Sequence, residues 1–286
     1  MKKEENPILT ILLLTYNHEN SIAEAIESIL EQETSYPYKV WILDDCSTDK
    51  TLEICKKYED GHPKIIKVIS QPKNTKRKHI LEARKRIKTR YFATLDGDDR
   101  WCHKNKIQLA IDTMEKNPEY VMFAHDTLFN YVHTGEQRSL VHDIYKVKLK
   151  NPVTFADNPR HLHTSSRVYR RVIDFNKNPI IRDTITFYSF LDKGPLYYHD
   201  EIMSVYNYTE EGVWSKLSPA QRATTTDRAQ YDCNKKLGYR HDDFFTSRVS
   251  KPNILKKMKK LLGKKIGWKF YIIRSILING APLKLP

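Results

Sequence analysis

Residues Ile8 to Leu14 form a nearly unbroken apolar run of strand length. A strand with one wet face alternates apolar and polar residues. A run like this one is covered on both faces, as in a parallel sheet packed between helices. It ends in the polar turn Thr15-Tyr16-Asn17-His18, after which Ile22, Ala25, Ile26, Ile29 and Leu30 recur at helical spacing. Ser21 and Glu24 fit a capping box at the start of that helix. A second strand, Lys39 to Leu43, leads to a helix that Ser47 or Thr48 can cap and that runs to about Tyr58. A strand at Ile65 to Ile69, a basic helix from Lys78 to Lys88, the strand opening at Tyr91, a helix from Lys104 to Lys116 and a strand at Val121 to Ala124 follow. This alternation predicts an α/β layer on a mostly parallel sheet. Such sheets bind ligands beyond the carboxyl ends of their strands.

Polar clusters stand at three of those ends: Thr15 to His18, Asp44 to Asp49, and Asp96 to Asp99. In the last, the apolar stretch Tyr91 to Leu95 runs straight into three carboxylates within four positions, Asp96-Gly97-Asp98-Asp99. Asp-Gly is a common turn dipeptide, but three acids so close repel one another. A divalent cation removes that cost, and carboxylates at alternate positions can face one ion. No G-x-G-x-x-G and no Walker lysine loop is present, which excludes the two commonest phosphate cradles.

After about Asp126 the pattern loosens. Arg138 to Leu149 alternates weakly, as antiparallel strands do, and Thr184 to Leu191 is a helix with Arg182-Asp183 at its start. Leu196 to Tyr198 and Met203 to Tyr206 are short strands, and Ser218-Pro219 opens a helix to about Leu237. His161 and His163 read as acceptor-loop or surface histidines, His125-Asp126 as a strand-end polar pair, and His199-Asp200-Glu201 as acidic enough to assist a cation, second to the central acids. Trp214, between glycine and serine, suits a lid or a sugar-stacking position. Trp41 and Trp101 read as core.

The four cysteines are scattered without C-x-x-C spacing, which points to reduced thiols. The charged start and short apolar run do not resemble a signal peptide, and no stretch is long enough to span a bilayer, so a cytoplasmic location is expected. The net charge of +14 is uneven: ten Lys or Arg and no Asp or Glu lie between Lys251 and Pro286, leaving +4 for residues 1–250. Apolar residues 254, 255, 258, 261, 262 and 266 recur at helical spacing, with Lys256, Lys257, Lys259, Lys260, Lys264 and Lys265 opposite them. That pattern suits an anionic membrane surface, with packing back onto the domain as its alternative. No nucleic-acid module accompanies the charge.

The stretches Leu14-Thr15-Tyr16-Asn17, Asp44-Asp45-Cys46-Ser47-Thr48-Asp49-Lys50-Thr51 and Asp96-Gly97-Asp98-Asp99-Arg100-Trp101 together resemble the family 2 glycosyltransferases of the GT-A fold. Order and spacing match over roughly residues 7–125. The resemblance implies an inverting, metal-dependent transfer of a sugar from a nucleotide-sugar, with UDP the expected nucleotide. The expected acceptor is a cell-surface glycan, lipid-linked, at the inner face of the membrane. It implies a GT-A-like sheet flanked by helices, with a nucleotide-sugar half (1–125), a smaller mixed acceptor half (126–245) and a basic helical tail (246–286). On these positions Thr15, Tyr16 and Asn17 line the nucleotide pocket, Asp45 accepts from the base, and Asp44 is its neighbour. Asp96, Gly97, Asp98 and Asp99 hold the ribose and, through Mn²⁺ or Mg²⁺, the diphosphate. Asp98 or Asp99 is the direct metal ligand. Asp183 is the catalytic base. The family's glycine-containing segment before the central strand is replaced by Lys76 to Arg86, where Arg77 or Lys78 reaches a diphosphate. Two rival classes are a nucleotidyltransferase, which brings a glycine-rich phosphate loop that the Leu14 to His18 turn lacks, and a non-catalytic nucleotide or polyanion binder, which has no use for Asp183.

Overall fold

The computed structural model describes residues 6–157, 159, 162–209 and 216–279. The first part alternates as expected: β1 (Leu9–Thr15), α1 (Ile22–Leu30), β2 (Tyr38–Asp44), α2 (Thr51–Gly61), β3 (Ile66–Ser70), α3 (Lys78–Arg86), β4 (Tyr91–Asp96), the short β5 (Arg100–Trp101) and α4 (Lys106–Lys116). It continues through β6 (Met122–Tyr131), β7 (Glu136–Ser139), β8 (Val168–Arg170), α5 (Asp183–Leu191), β9 (Leu196–Tyr208), α6 (Pro219–Lys236), α7 (Asp242–Ser247), α8 (Pro252–Leu262) and α9 (Lys264–Asn279). The strands form one sheet in the order β3-β2-β1-β4-β8-β6-β9-β5, with β7 paired to β6. β1 to β4 pair in parallel, while β8 is antiparallel to both of its neighbours.

Every residue of β1 is buried, and its side chains serve two cores in alternation. Leu12 and Leu14 pack with Phe92, Phe187 and Phe190 on one face of the sheet. Ile11 and Leu13 pack with Ile22, Ile26, Ile107 and Ile111 on the other, so α1 and α4 cover that side. The parallel registers set Thr15 beside Asp44, Asp44 beside Ser70, and Leu14 beside Asp96. Four strand ends therefore finish at one level. The strand order reverses between β1 and β4, which opens a crevice at that point.

Several local expectations are corrected. Ser21 does not cap α1; its hydroxyl donates to the Gly97 carbonyl (2.9 Å), while Glu24 pairs with Arg100. Neither Ser47 nor Thr48 caps α2, which starts at Thr51, where the amide donates to Asp49 Oδ1. Of the 138–149 region only Arg138 and Ser139, the end of β7, are strand, followed by a wide helical turn at Leu140–Tyr145. The two short strands expected at 196–206 are the ends of one long β9. It bulges where the register jumps from His125 beside His199 to Asp126 beside Ile202. The α6 start is as read: Ser218 and Gln221 form a complete capping box. The expected division at residue 125 falls inside β6. Leu255, Trp268, Tyr271 and Ile272 of the tail share the core that α5 builds.

One buried charge stands out in this frame. Lys106, fully buried at the start of α4, has its ammonium over the Trp101 ring (4.0 Å) and donates to the Ser165 carbonyl. Burial drives its pKa well below the ordinary lysine value, with Cys102 opposing and Arg167 adding to the shift. Between that lowered value and the unfolded value the native state binds fewer protons, so stability rises with pH through this window. Lys106→Met should remove the rise and gain on the order of 1–3 kcal/mol at neutral pH. The Ser165 carbonyl keeps its second donor, the Trp101 indole (3.0 Å). Chemical denaturation from pH 7 to 9 measures both effects, and a destabilised variant with an unchanged slope would sink the argument.

Candidate active site

The turn after β1 is locked to the turn after β2. Asp45 donates its amide to the Thr15 carbonyl (3.0 Å), Asn17 donates its amide to Ser47 Oγ (3.0 Å), and Thr48 donates its amide to Asn17 Oδ1 (2.8 Å). Asn17 adopts φ +56°, a left-handed conformation that asparagine tolerates better than most residues. Asp44 is fully buried and accepts from Ser70 Oγ and the Ser47 amide, so it holds the turn together and does not face the crevice. Thr15 is buried beside it, while Tyr16 stands 44% exposed at the rim.

Asp45 serves a second loop. Its Oδ1 accepts from the Thr75 amide (2.7 Å) and hydroxyl (2.8 Å), its Oδ2 from the Arg77 amide (3.3 Å), and His79 lies at 3.3 Å. Burial pushes its carboxyl up, but these donors outweigh burial and leave it below its ordinary value. Asp45 thereby fixes Lys76 and Arg77, both at positive φ, and sends the Arg77 side chain across the crevice to Asp96 (3.2 Å). Lys78, the first residue of α3, is exposed.

The central acids sit on a tight turn. The Gly97 amide donates to the Leu14 carbonyl (2.7 Å), and a Cβ there would lie 2.8 Å from His18 Nδ1 and 3.1 Å from Leu14 O. A side chain at 97 would have to displace His18 and crowd the β1 backbone. Asp99 points inward: it is buried, and neither carboxylate oxygen finds a hydrogen-bond partner. Burial first, then the charges of Asp98 and Asp96, push its carboxyl well up. Burial also raises Asp96, against the pull of Arg77, with Asp98 and Asp183 adding to the rise. Asp98 is half exposed, 4.0 Å from His18 Nε2, and its backbone carbonyl accepts from the Asn207 side chain (2.9 Å).

Asp183 joins this group from the second half of the chain. Its charge acts on both Asp96 and Arg77. It is the first residue of α5; the cap position is Arg182, whose side chain makes no cap hydrogen bond. Its carboxylate instead accepts from Thr164 Oγ1 (3.2 Å). Thr164 belongs to the turn His163 to Arg167, of which the sequence singles out only His163. In that turn His163 lies 3.9 Å from Asp99, and the buried Arg167 donates to Thr164 Oγ1 (2.7 Å), the His163 carbonyl (3.1 Å) and the Asp183 carbonyl (3.3 Å). Tyr206, packed on Phe129 and His163, completes the wall; burial and then Asp99, Asp98 and Asp96 raise its phenol. The alternation His161-Leu162-His163 was the available signal for this turn. His161 and Trp214 lie outside the described residues.

The acids form a cluster that a cation would relieve. Among the described residues no three His, Cys, Asp or Glu side chains are gathered closely enough to hold an ion alone. Magnesium-like ions are commonly held by one or two carboxylates together with substrate phosphates. The orphaned oxygens of Asp99 beside Asp98 fit that kind of site.

A parallel sheet with acids at its switch point, closed by a mixed second half, is the architecture of the GT-A glycosyltransferases. Its likeness to solved structures shows that fold. A mannosyltransferase from Pyrobaculum calidifontis, in complex with GDP-Man and Mn²⁺, superposes with a TM-score of 0.62 at 15% identity, covering 96% of this chain and 81% of that one. Staphylococcus aureus TarS (1–349) gives 0.57 at 16%, covering 97% and 93%. The model of glycosyl transferase family 2 matches residues 10–198, more than half of the chain, and the protein belongs to that family. An uncharacterised Mycobacterium tuberculosis protein is 26% identical over 72% of this chain. The putative teichuronic acid biosynthesis glycosyltransferase TuaG of Bacillus subtilis is 30% identical over 48% of this chain and 56% of its own length. This chain spans 60% of the length of the mycobacterial relative.

Proposed function

We propose that this protein transfers a sugar, with inversion, from a nucleotide donor to a hydroxyl of a cell-surface glycan, the donor a UDP-sugar and the acceptor carried on a lipid. The carrying observation is that one turn joins Asp183, from the second half, to the acids at the end of β4: Thr164 donates to Asp183 (3.2 Å) and His163 lies 3.9 Å from Asp99. Relatives support the substrate classes. One from Escherichia coli, 29% identical over 43% of this chain, is named a UDP-Glc:alpha-D-GlcNAc-diphosphoundecaprenol beta-1,3-glucosyltransferase. TarS has been solved with UDP-GlcNAc, and that structure superposes with a TM-score of 0.54.

The residues divide the work as follows. Tyr16 offers an aromatic face to the base, and Asp45 Oδ2, held by one long amide contact, keeps a lone pair for a ring N–H. Arg77 is drawn by Asp96 into the crevice, where its planar fork suits a diphosphate. Asp98 and Asp99 would hold Mn²⁺ or Mg²⁺, and such an ion when bound neutralises charge on the departing diphosphate. Asp183 takes the proton of the acceptor hydroxyl as its oxygen bonds to the anomeric carbon and the bond to the diphosphate breaks. Attack from the face opposite the leaving group inverts that carbon.

The test is thermal stabilisation by UDP, GDP, CDP and dTDP, each with and without Mn²⁺, on wild type and Asp98→Ala. A ligand at a hundred times its Kd stabilises by about 2.7 kcal/mol. UDP with Mn²⁺ should stabilise the wild type, and Asp98→Ala should lose that response while keeping its unliganded stability. A folded protein stabilised by no nucleotide would overturn the reading.

A further inference from the structure

The basic tail divides into a face that docks and a face that does not. Gly263, at φ +78°, turns the chain between α8 and α9. Gly267 lets the two helices touch backbone to backbone, since a Cβ there would lie 2.7 Å from Lys259 Cα. The hairpin is fastened to the domain by its buried face: Trp268 Nε1 donates to Asp242 (2.9 Å) and the Tyr271 hydroxyl donates to Asp227 (2.8 Å). Two of the lysines read from the sequence as unpaired belong to this face. Lys259 is largely buried and bonds to Asp242, and Lys264 donates to the Tyr239 carbonyl (3.0 Å) and lies 3.7 Å from Asp242.

The opposite face carries Leu261, Leu262, Ile266, Phe270 and Ile273, all exposed, with Leu261 at 72% and Phe270 at 53%. Residues 266, 270 and 273 follow i, i+4, i+7 spacing, so they form one stripe along α9, about half a turn from Trp268, Tyr271 and Ile272. Lys256, Lys260, Lys265 and Lys269 are exposed around it, and no Asp or Glu follows Asp243 in the sequence. A helix anchored by one face and apolar on the other, edged only by cations, matches the surface of an anionic bilayer. There the apolar side chains enter the acyl boundary and the lysines meet headgroup phosphates.

We infer that the α8–α9 hairpin seats this enzyme on anionic membrane, with Leu261, Leu262, Ile266, Phe270 and Ile273 inserted and Lys260, Lys265 and Lys269 at the headgroups. The inference stands on the hairpin alone, and it would place the crevice at the surface that carries a lipid-linked acceptor. The experiment is co-sedimentation of the full chain with phosphatidylglycerol-containing and pure phosphatidylcholine vesicles, at low and high salt. Wild type should bind the anionic vesicles and retain part of that binding at high salt, because charge alone is screened and insertion is not. Ile266→Ser/Phe270→Ser/Ile273→Ser should bind at least about tenfold more weakly, with unchanged Tm and nucleotide response. Lys260→Gln/Lys265→Gln/Lys269→Gln should lose the preference for anionic lipid. Wild type that stays in the supernatant, or an apolar variant that binds like wild type, overturns the inference. So does light scattering that shows a wild-type dimer dissociated by the apolar variant, since the stripe would then be the seat of a second copy. Nucleotide response in the same samples separates failure of this surface from failure of the glycosyltransferase reading.

Discussion

Asp183→Asn is expected to lower kcat by about 10²–10⁴-fold while leaving donor-nucleotide affinity within a factor of about two, the range expected when a positioned general base is removed. The side chain keeps its shape and can still accept from Thr164, so the change removes the proton acceptor together with the negative charge 4.0 Å from the buried Arg167. The bland alternative, that Asp183 only caps a helix, leaves its position unexplained: Arg182 holds the cap position, and the Asp183 carboxylate accepts from Thr164 in a separate turn. Single-turnover transfer with saturating donor isolates the chemical step from product release. A variant retaining more than a tenth of wild-type turnover would place the base elsewhere.

How much of the crevice is legible in the sequence is a matter of range. The acids at 44–49 and 96–99 follow apolar strands directly, so sequence order alone sets them at strand ends. Parallel pairing of β2, β1 and β4 then gathers those ends. Asp183 was found only through a resemblance, because the residues between β6 and α5 carry little periodicity. Arg167 looks in sequence like one more surface cation. It is buried because two acceptors of its own turn, the His163 carbonyl and Thr164 Oγ1, and one from the start of α5, the Asp183 carbonyl, converge on it. Asp45 shows the converse: its place was readable, but its partners, Thr75 and Arg77, come from a loop thirty residues on that has no motif of its own. The amphipathic character of the tail follows from the helical spacing of its apolar residues. Asp227 and Asp242, acids of α6 and α7, decide which of its faces is hidden.

Arg167→Met should lower stability by about 2–4 kcal/mol, since it strips a charged donor from two partly buried carbonyls and a hydroxyl. Thr164 then loses the donor that orients its hydroxyl toward Asp183, so turnover should fall at least about tenfold more than nucleotide affinity does. Arg167→Lys, which keeps the charge and one donor, should recover most of the stability and only part of the turnover. Loss of stability alone would fit a purely structural arginine, so the deciding readout is a double-mutant cycle. If Arg167 acts on transfer by positioning Asp183, then adding Arg167→Lys to Asp183→Asn should cost little further activity, because there is no longer a base to position. Full additivity of the two losses in kcat would show that Arg167 serves the fold independently of the base. The His163 to Arg167 turn would then be a wall of the crevice and not part of its catalytic alignment.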